Sequence, residues 1–373
     1  MDFGFTEEQE EIAGLARRIL TDKVTVDLLR ETEAGTDRFD PELWRTLAEA
    51  GLLGIALPED VGGGGYGVVE QCLVLEEVGK RLAPVPLWAS IVLGAAPIAE
   101  FGTPGQKETW ARPAAEGAKI LTAALREPVN PDVLSPSTTA VRDSDGFRLN
   151  GTKTAVPAGP LAQLILVPAS LDGRPVVFLV EPTGPGVTVA RQRTTNRDTA
   201  GYVELTDARV PASAVLGSVE DGARILEWMD ERATVGLCAQ QLGVCEEALR
   251  ETAEYTKTRV QFERPIATFQ AVGHRCADCY IDVEALRLTL WQAAWRLADG
   301  LPASTVVEVA KFWAADTGHR VAHAAVHLHG GMGVAVEHTT HRYFIWGKQL
   351  EFMLGGSTEQ LLRIGARMAA EPV

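Results

Sequence analysis

Three stretches with different hydrophobic periods follow one another along this chain, and their order limits the fold more than any single motif. Up to about residue 118, apolar residues recur at helical spacing. Thr6 suits an N-cap, with Gln9 in the reciprocal capping-box position and Ile12, Leu15 and Ile19 on one face. Asp40-Pro41 starts another helix, Leu43, Trp44 and Leu47 form its apolar face, and Gly51 suits its end. After a glycine loop, Val68 to Leu82 reads as a third. Between about Ile120 and Leu216 the period changes to short β-rich runs, such as QLILVPA, PVVFLVEP and YVELTDARV, separated by Gly, Pro, Asp and Asn turns. From about Val219 long amphipathic helices return, over 223–255, 269–298 and 304–327. The expected fold class is α+β. It comprises an N-terminal helical domain (1–118), a middle antiparallel β-barrel (119–218) and a C-terminal four-helix bundle (219–373).

Composition excludes several functions. The net charge of −15 argues against a nucleic-acid surface, and no Lys/Arg-rich run offsets it. No apolar run approaches the roughly 20 residues that span a bilayer, and the acidic start MDFGFTEEQEE lacks signal-peptide design. A cytoplasmic protein is expected. The five cysteines form an odd set, and Cys276-Ala-Asp-Cys279 lies inside a helical pattern without a second pair, so structural thiols are expected.

The run from Tyr255 to Leu286 carries the most chemistry. It reads as a helix with Tyr255 and Arg259 one turn apart, a break at Arg264-Pro265 and a second helix from near Phe269. A guanidinium at Arg259 beside Gln261, with Gln270 after the break, can grip a phosphodiester in bidentate fashion. The segment Arg259 to Gln270 resembles the R-x-Q-F-G-x-P-I-x-x-F-Q signature of the acyl-CoA dehydrogenase family, with Glu263 in place of the glycine. That resemblance implies that Arg259, Gln261, Phe262 and Gln270 hold the FAD pyrophosphate of a neighbouring subunit. The order of helices, β-domain and helical bundle is also that family's architecture.

Other candidate sites divide. The run Val61 to Gly67 has four consecutive glycines but no strand before it and no Gly-Lys-Ser/Thr ending, so a flexible interhelix turn is expected. His319, His323 and His327 share one helical face, followed by His329; with only Asp316 nearby, stacked histidines are expected rather than a metal site. The glycines after His327 end the helix and bare its backbone. His327 to Gly333 resembles the family's Q-x-x-G-G-x-G segment, which implies that His327, Gly330 and Gly331 touch the adenosine half of FAD.

Two further requirements of an acyl-CoA dehydrogenase are missing. By resemblance to Y-E-G-T-S-Q, the catalytic base position is Gly355; the alternative position, ten residues before Gly243, is Ala233. Neither can take a proton. Asp230, Glu231, Glu351 and Glu359 are the weak substitutes. On the β-domain, the family's T-E-P-x-x-G-S-D loop corresponds to Arg126 to Asp132 without its glycine-serine element, and the flavin-stacking tryptophan position is Ala155. The chain thus keeps residues that serve a partner's FAD and lacks those for its own flavin. It resembles the base-less subunit of the α2β2 acyl-CoA dehydrogenases of actinobacterial steroid side-chain β-oxidation. The resemblance implies FAD, a homologous catalytic partner, a bulky acyl-CoA substrate such as a steroid CoA ester, and an electron-transfer acceptor; whether the glycine at 355 leaves extra room, the sequence does not establish. A homotetramer with a relocated base such as Glu231, and a flavin-free scaffold, stay open.

Overall fold

A computed structural model describes residues 4–370. Helix α1 (Glu7–Lys23) opens with the expected capping box: the Thr6 hydroxyl accepts from the Gln9 amide, and the Gln9 side chain accepts from the Thr6 amide. After α2 (Val26–Ala34), the Asp40 carboxylate caps α3 (Pro41–Glu49) by accepting from the Leu43 amide at 2.7 Å, and Leu43, Trp44 and Leu47 are buried. Gly51, at φ 72°, takes the left-handed conformation just past the helix end. The glycine run is a bonded turn and not a flexible one. The amides of Gly63, Gly64 and Gly65 donate to the carbonyls of Pro58, Gly54 and Leu57, because the chain doubles back on itself with no space for side chains. Then come α4 (Val68–Arg81), a π-helical stretch (Trp88–Ala95), and α5 (Ala96–Phe101), α6 (Pro104–Gln106) and α7 (Arg112–Ala115).

The middle β-domain contains β1 (Leu121–Ala123), β2 (Thr139–Asp143), β3 (Gly146–Pro157), β4 (Leu164–Leu171), β5 (Arg174–Val180), β6 (Val187–Arg193) and β7 (Thr199–Pro211). Strand order is β1-β4-β2-β3-β7-β6, with β5 also paired to β4. The sheet is mixed where turn spacing suggested antiparallel pairing throughout, since β1 and β2 both run parallel to β4. A tight hairpin enforces antiparallel pairing, and longer connections leave direction to side-chain burial. The inward faces close over Phe147, Leu149, Val167, Phe178, Val203 and Leu205.

Helices α8 (Gly222–Thr258), α9 (Gln270–Ala298), α10 (Ser304–His329), α11 (Thr340–Phe352) and α12 (Ser357–Ala370) complete the chain. The chain forms two compact units that do not follow sequence order. One gathers Met1–Arg30, Val68–Ala83 and Thr234–Val373; the other gathers Glu31–Gly67 and Pro84–Ala233. In the first unit α4 crosses α8 at two glycines. A Cβ on Gly243 would lie 2.0 Å from the Glu76 carbonyl oxygen, and one on Gly79 would lie 2.2 Å from that of Gln240. Only glycine permits backbones so close, so this crossing fixes the register of α8. Among the described residues no helix is long and apolar enough to cross a membrane.

Candidate cofactor-sharing site

Helix α8 stops at Thr258, short of the break expected at Arg264. The Thr258 hydroxyl turns back onto the carbonyls of Glu254 and Tyr255, and the Arg259 amide closes the end by donating to Tyr255 O at 2.8 Å. Arg259 therefore stands past the helix, at the base of a small ribbon pairing β8 (Val260–Gln261) with β9 (Arg264–Pro265). Phe262 and Glu263 turn the ribbon, both at positive φ (52° and 66°). Two successive left-handed residues make the twist of a tight hairpin, which periodicity along the sequence does not reveal. Glu263 thus occupies a conformation glycine adopts more readily. Arg259, Gln261, Phe262 and Gln270 are all exposed, Phe262 at 87%. Phe262 and Phe269 meet edge to face, and Arg264 lies over the Phe269 ring at 4.1 Å.

The second predicted segment caps α10. His327, Gly330 and Gly331 are exposed, Gly330 at φ 61°. A Cβ on Gly330 or Gly331 would meet nothing within 4 Å in this chain. Their bareness serves no internal packing. His329 by contrast is buried, and its ring stacks on Tyr255 at 4.2 Å. The structure therefore brings the end of α8, which bears Arg259, against the end of α10, which bears the glycines. Both His329 and Tyr255 were visible in the sequence, but nothing local pairs them.

The base positions are closed in different ways. Ala233 is fully buried in α8, and its carbonyl accepts from the Trp88 indole at 2.9 Å. Gly355 sits in the corner between α11 and α12 at φ 98°, where a Cβ would lie 2.7 Å from Glu359 Cδ and 2.8 Å from Gln360 Nε2. The ends of those two side chains occupy the space beside Gly355. Buried Lys311 holds this corner by donating from Nζ to the carbonyls of Leu350 and Glu351 at 3.0 and 3.1 Å. Of the weak substitutes, Glu351 is engaged by Lys348 at 2.5 Å and by His319 at 3.4 Å. Glu359 pairs with Arg363 at 3.2 Å, and Glu231 is half-buried in α8 beside Arg232.

On the β-domain, the loop between β1 and β2 satisfies its own polar groups. Asn130 donates to Ser135 O and Ser137 Oγ, and Arg126 to Pro131 O. Glu127 is the hub that sequence reading missed. Its carboxylate accepts from Lys153 Nζ at 2.7 Å, from the Thr138 hydroxyl and amide, and from the Ser137 amide. Lys153 is completely buried, at an inward position of β3. Burial alone would raise the Glu127 pKa, but the Lys153 charge and these hydrogen bonds outweigh it and hold the carboxyl at about 2. Because the folded pKa lies below the unfolded one, this stabilisation is full above about pH 4.5 and fades as pH falls toward 2. Acid titration of the unfolding free energy should show that loss, and a Glu127→Gln, Lys153→Met double variant should lack it. Ala155, at φ 49°, takes up a bulge in β3, with its amide donating to Gln192 Oε1 at 2.6 Å.

Other predicted features are quiet. The His319 and His323 rings meet at 4.5 Å but tilted by 43° instead of stacked, and His323 meets Phe344 edge to face. No group of three His, Cys, Asp or Glu among the described residues is arranged to hold a metal. The five thiols are unbridged, and burial pushes the Cys279 thiol up to about 11, far from a reactive thiolate.

Three family models match in chain order: the acyl-CoA dehydrogenase N-terminal domain over residues 6–118, the middle domain over 127–208 and the C-terminal domain over 220–369. The chain belongs to the acyl-CoA dehydrogenase family. It is 46% identical to the acyl-CoA dehydrogenase FadE27 of Mycobacterium tuberculosis over the full length of both. Among solved structures it resembles the ChsE4-ChsE5 complex from Mycobacterium tuberculosis, with 46% identity, a TM-score of 0.95 and both chains fully covered. A variant of the Tcur3481-Tcur3483 steroid ACAD matches at 46% identity and a TM-score of 0.92, covering 98% of each chain.

Acyl-CoA dehydrogenases are FAD-dependent oxidoreductases. The present residues fit part of that cofactor. Exposed Arg259, Gln261 and Gln270 are donors suited to a pyrophosphate, and the bare backbone at Gly330 and Gly331 leaves room for a ligand to approach. The flavin end lacks an equivalent. At the two places that the motif resemblance assigns to the flavin, this chain has a loop bonded to itself and an exposed Ala155.

Proposed function

We propose that this chain is the non-catalytic subunit of a heteromeric acyl-CoA dehydrogenase. It completes the FAD site of a homologous catalytic partner in an α2β2 heterotetramer. The observation that carries the reading is Gly355: the usual base position has no carboxylate and a left-handed backbone that strains any other residue, while the exposed residues proposed to grip the cofactor are present. Bound FAD supplies the hydride acceptor for α,β-dehydrogenation of the thioester. Arg259, Gln261 and Gln270 would bind its pyrophosphate, Phe262 would flank them, and His327, Gly330 and Gly331 would complete the adenylate side. The proposed substrates are steroid side-chain CoA esters, supported by the two similar complexes, one of them described as a steroid ACAD. Domains of 1–118, 119–218 and 219–373 and a cytoplasmic location, where unbridged thiols persist, belong to the same reading.

Purification of the chain alone, and together with the product of a neighbouring homologous gene, tests it. The expected result is colourless, inactive protein alone and a yellow complex that dehydrogenates acyl-CoA with an artificial acceptor. Yellow, active protein from this chain by itself would overturn the reading. In the complex, Arg259→Ala should weaken FAD binding by about 1.5–3 kcal/mol, roughly ten- to a hundredfold, because a charge-assisted phosphate contact is lost. Unchanged affinity would assign the arginine elsewhere.

One observation favours a second reading. The Glu359 carboxylate lies beside the Cβ position of Gly355, which makes it the substitute nearest the usual base position. If the chain were active alone, Glu359→Gln should abolish that activity and Glu231→Gln should leave it.

A further inference from the structure

His329 has an environment that neither α10 nor the glycine segment requires. Its Nδ1 donates to Ala325 O at 2.8 Å, and its Nε2 is buried without a hydrogen-bond partner. The ring is clasped from two sides. Tyr255 stacks on it at 4.2 Å with planes 24° apart, and His338 meets it at 5.0 Å and 61°. His338 also lies 6.3 Å from Tyr255, and Thr340 holds its Nδ1 through hydroxyl and amide. Each clasped ring sits beside a predicted cofactor contact. Tyr255 accepts the Arg259 amide through its carbonyl, and the Arg259 carbonyl accepts from Ile266 N–H, which anchors the ribbon. His329 immediately precedes Gly330, and a Cβ on Gly333 would lie 3.1 Å from His329 Cβ, so the glycine turn folds against the same ring.

We propose that His329, clasped by Tyr255 and His338, is a positioning residue that holds the Arg259 ribbon and the Gly330–Gly331 turn in one fixed arrangement for the adenylate half of FAD. The inference rests on the proposed cofactor-sharing role, but the mechanical coupling exists in the chain by itself. The clasp links the ends of the two helices that carry these segments.

The clasp requires neutral imidazole. Protonation would place a second N–H where no acceptor lies, with a charge beside His338. The other titratable groups around it are Tyr255, His341 on the His338 carbonyl, and Glu251, whose carboxylate accepts the Thr339 hydroxyl. Burial and His338 lower the His329 pKa despite the Ala325 bond. The clasp is thus complete above about pH 6.5 and weakens as pH falls below that.

Hydrogen exchange on the purified chain tests the coupling. His329→Ala should speed exchange at 259–266 and at 330–334 together, whereas His329→Phe should keep both protected. Acceleration confined to 330–334 would overturn the proposal. In the mixed complex, FAD affinity should fall as pH drops from 7.5 to 5.5, by less than about tenfold because the His329 pKa lies below its ordinary value, and His329→Phe should flatten that profile. Superimposable profiles would also overturn it. A complex that binds no FAD would defeat the cofactor-sharing reading while leaving the exchange result to decide the coupling.

Discussion

Replacing Glu127 by glutamine should lower the unfolding free energy by about 3–5 kcal/mol, the usual consequence of removing one partner from a buried ion pair. Lys153, whose pKa burial lowers even beside the carboxylate, would be left completely buried without its counter-charge, at a cost whether it stays charged or loses its proton. Removing both charges should cost much less. In the Glu127→Gln, Lys153→Met double variant, an apolar stem fills the lysine's space, and well-packed apolar replacements of buried pairs are often close to neutral. Urea denaturation of the two singles and the double closes the cycle. The expected coupling is several kcal/mol. Additive single effects would show that the pair is held by its surroundings and contributes nothing of its own. The loop carrying Glu127 is the one that the motif resemblance assigns to the flavin, so its rigidity bears on the proposed division of labour: here the carboxylate bonds to Lys153, Thr138 and Ser137.

Restoring the missing acid by Gly355→Glu should destabilise the protein and fail to make it a dehydrogenase. A side chain at φ 98° costs about 1–3 kcal/mol in backbone strain alone. Gln360 must then move, and with it the bond it donates to Leu354 O at 3.0 Å, worth about another 1 kcal/mol. The corner cannot relax toward α11, because Lys311 pins the carbonyls of Leu350 and Glu351. Denaturation should report a fall of several kcal/mol, and single-turnover mixing of the lone variant with acyl-CoA should give no flavin reduction. A stable Gly355→Glu chain that reduces flavin unaided would mean that only the acid was missing.

Much of the site is legible in the sequence because it is local. The capping box at Thr6, the Asp40 cap and the exposed grip between Arg259 and Gln270 each depend on residues within one or two turns. The ribbon is the instructive exception. Tyr255 and Arg259 have helical spacing, but spacing gives no sign that the helix stops at Thr258 or that Phe262 and Glu263 take left-handed conformations to turn a ribbon beyond it. Sheet direction was hidden for a related reason: β4 meets β1 and β2 through long connections whose geometry no turn dictates.

Sequence alone determined the order of helices, sheet and helices, the presence of Arg259, Gln261 and Gln270 in the motif proposed to grip the cofactor, and the absence of a carboxylate at 233 and 355. Periodicity and residue chemistry suffice for those. Only the tertiary structure decided that Glu127 meets Lys153, that Tyr255 meets His329, and that Gly355 is a filled corner instead of an opening. Each of these depends on which distant side chains the packed core brings within a few ångströms, and local propensity carries no information about that.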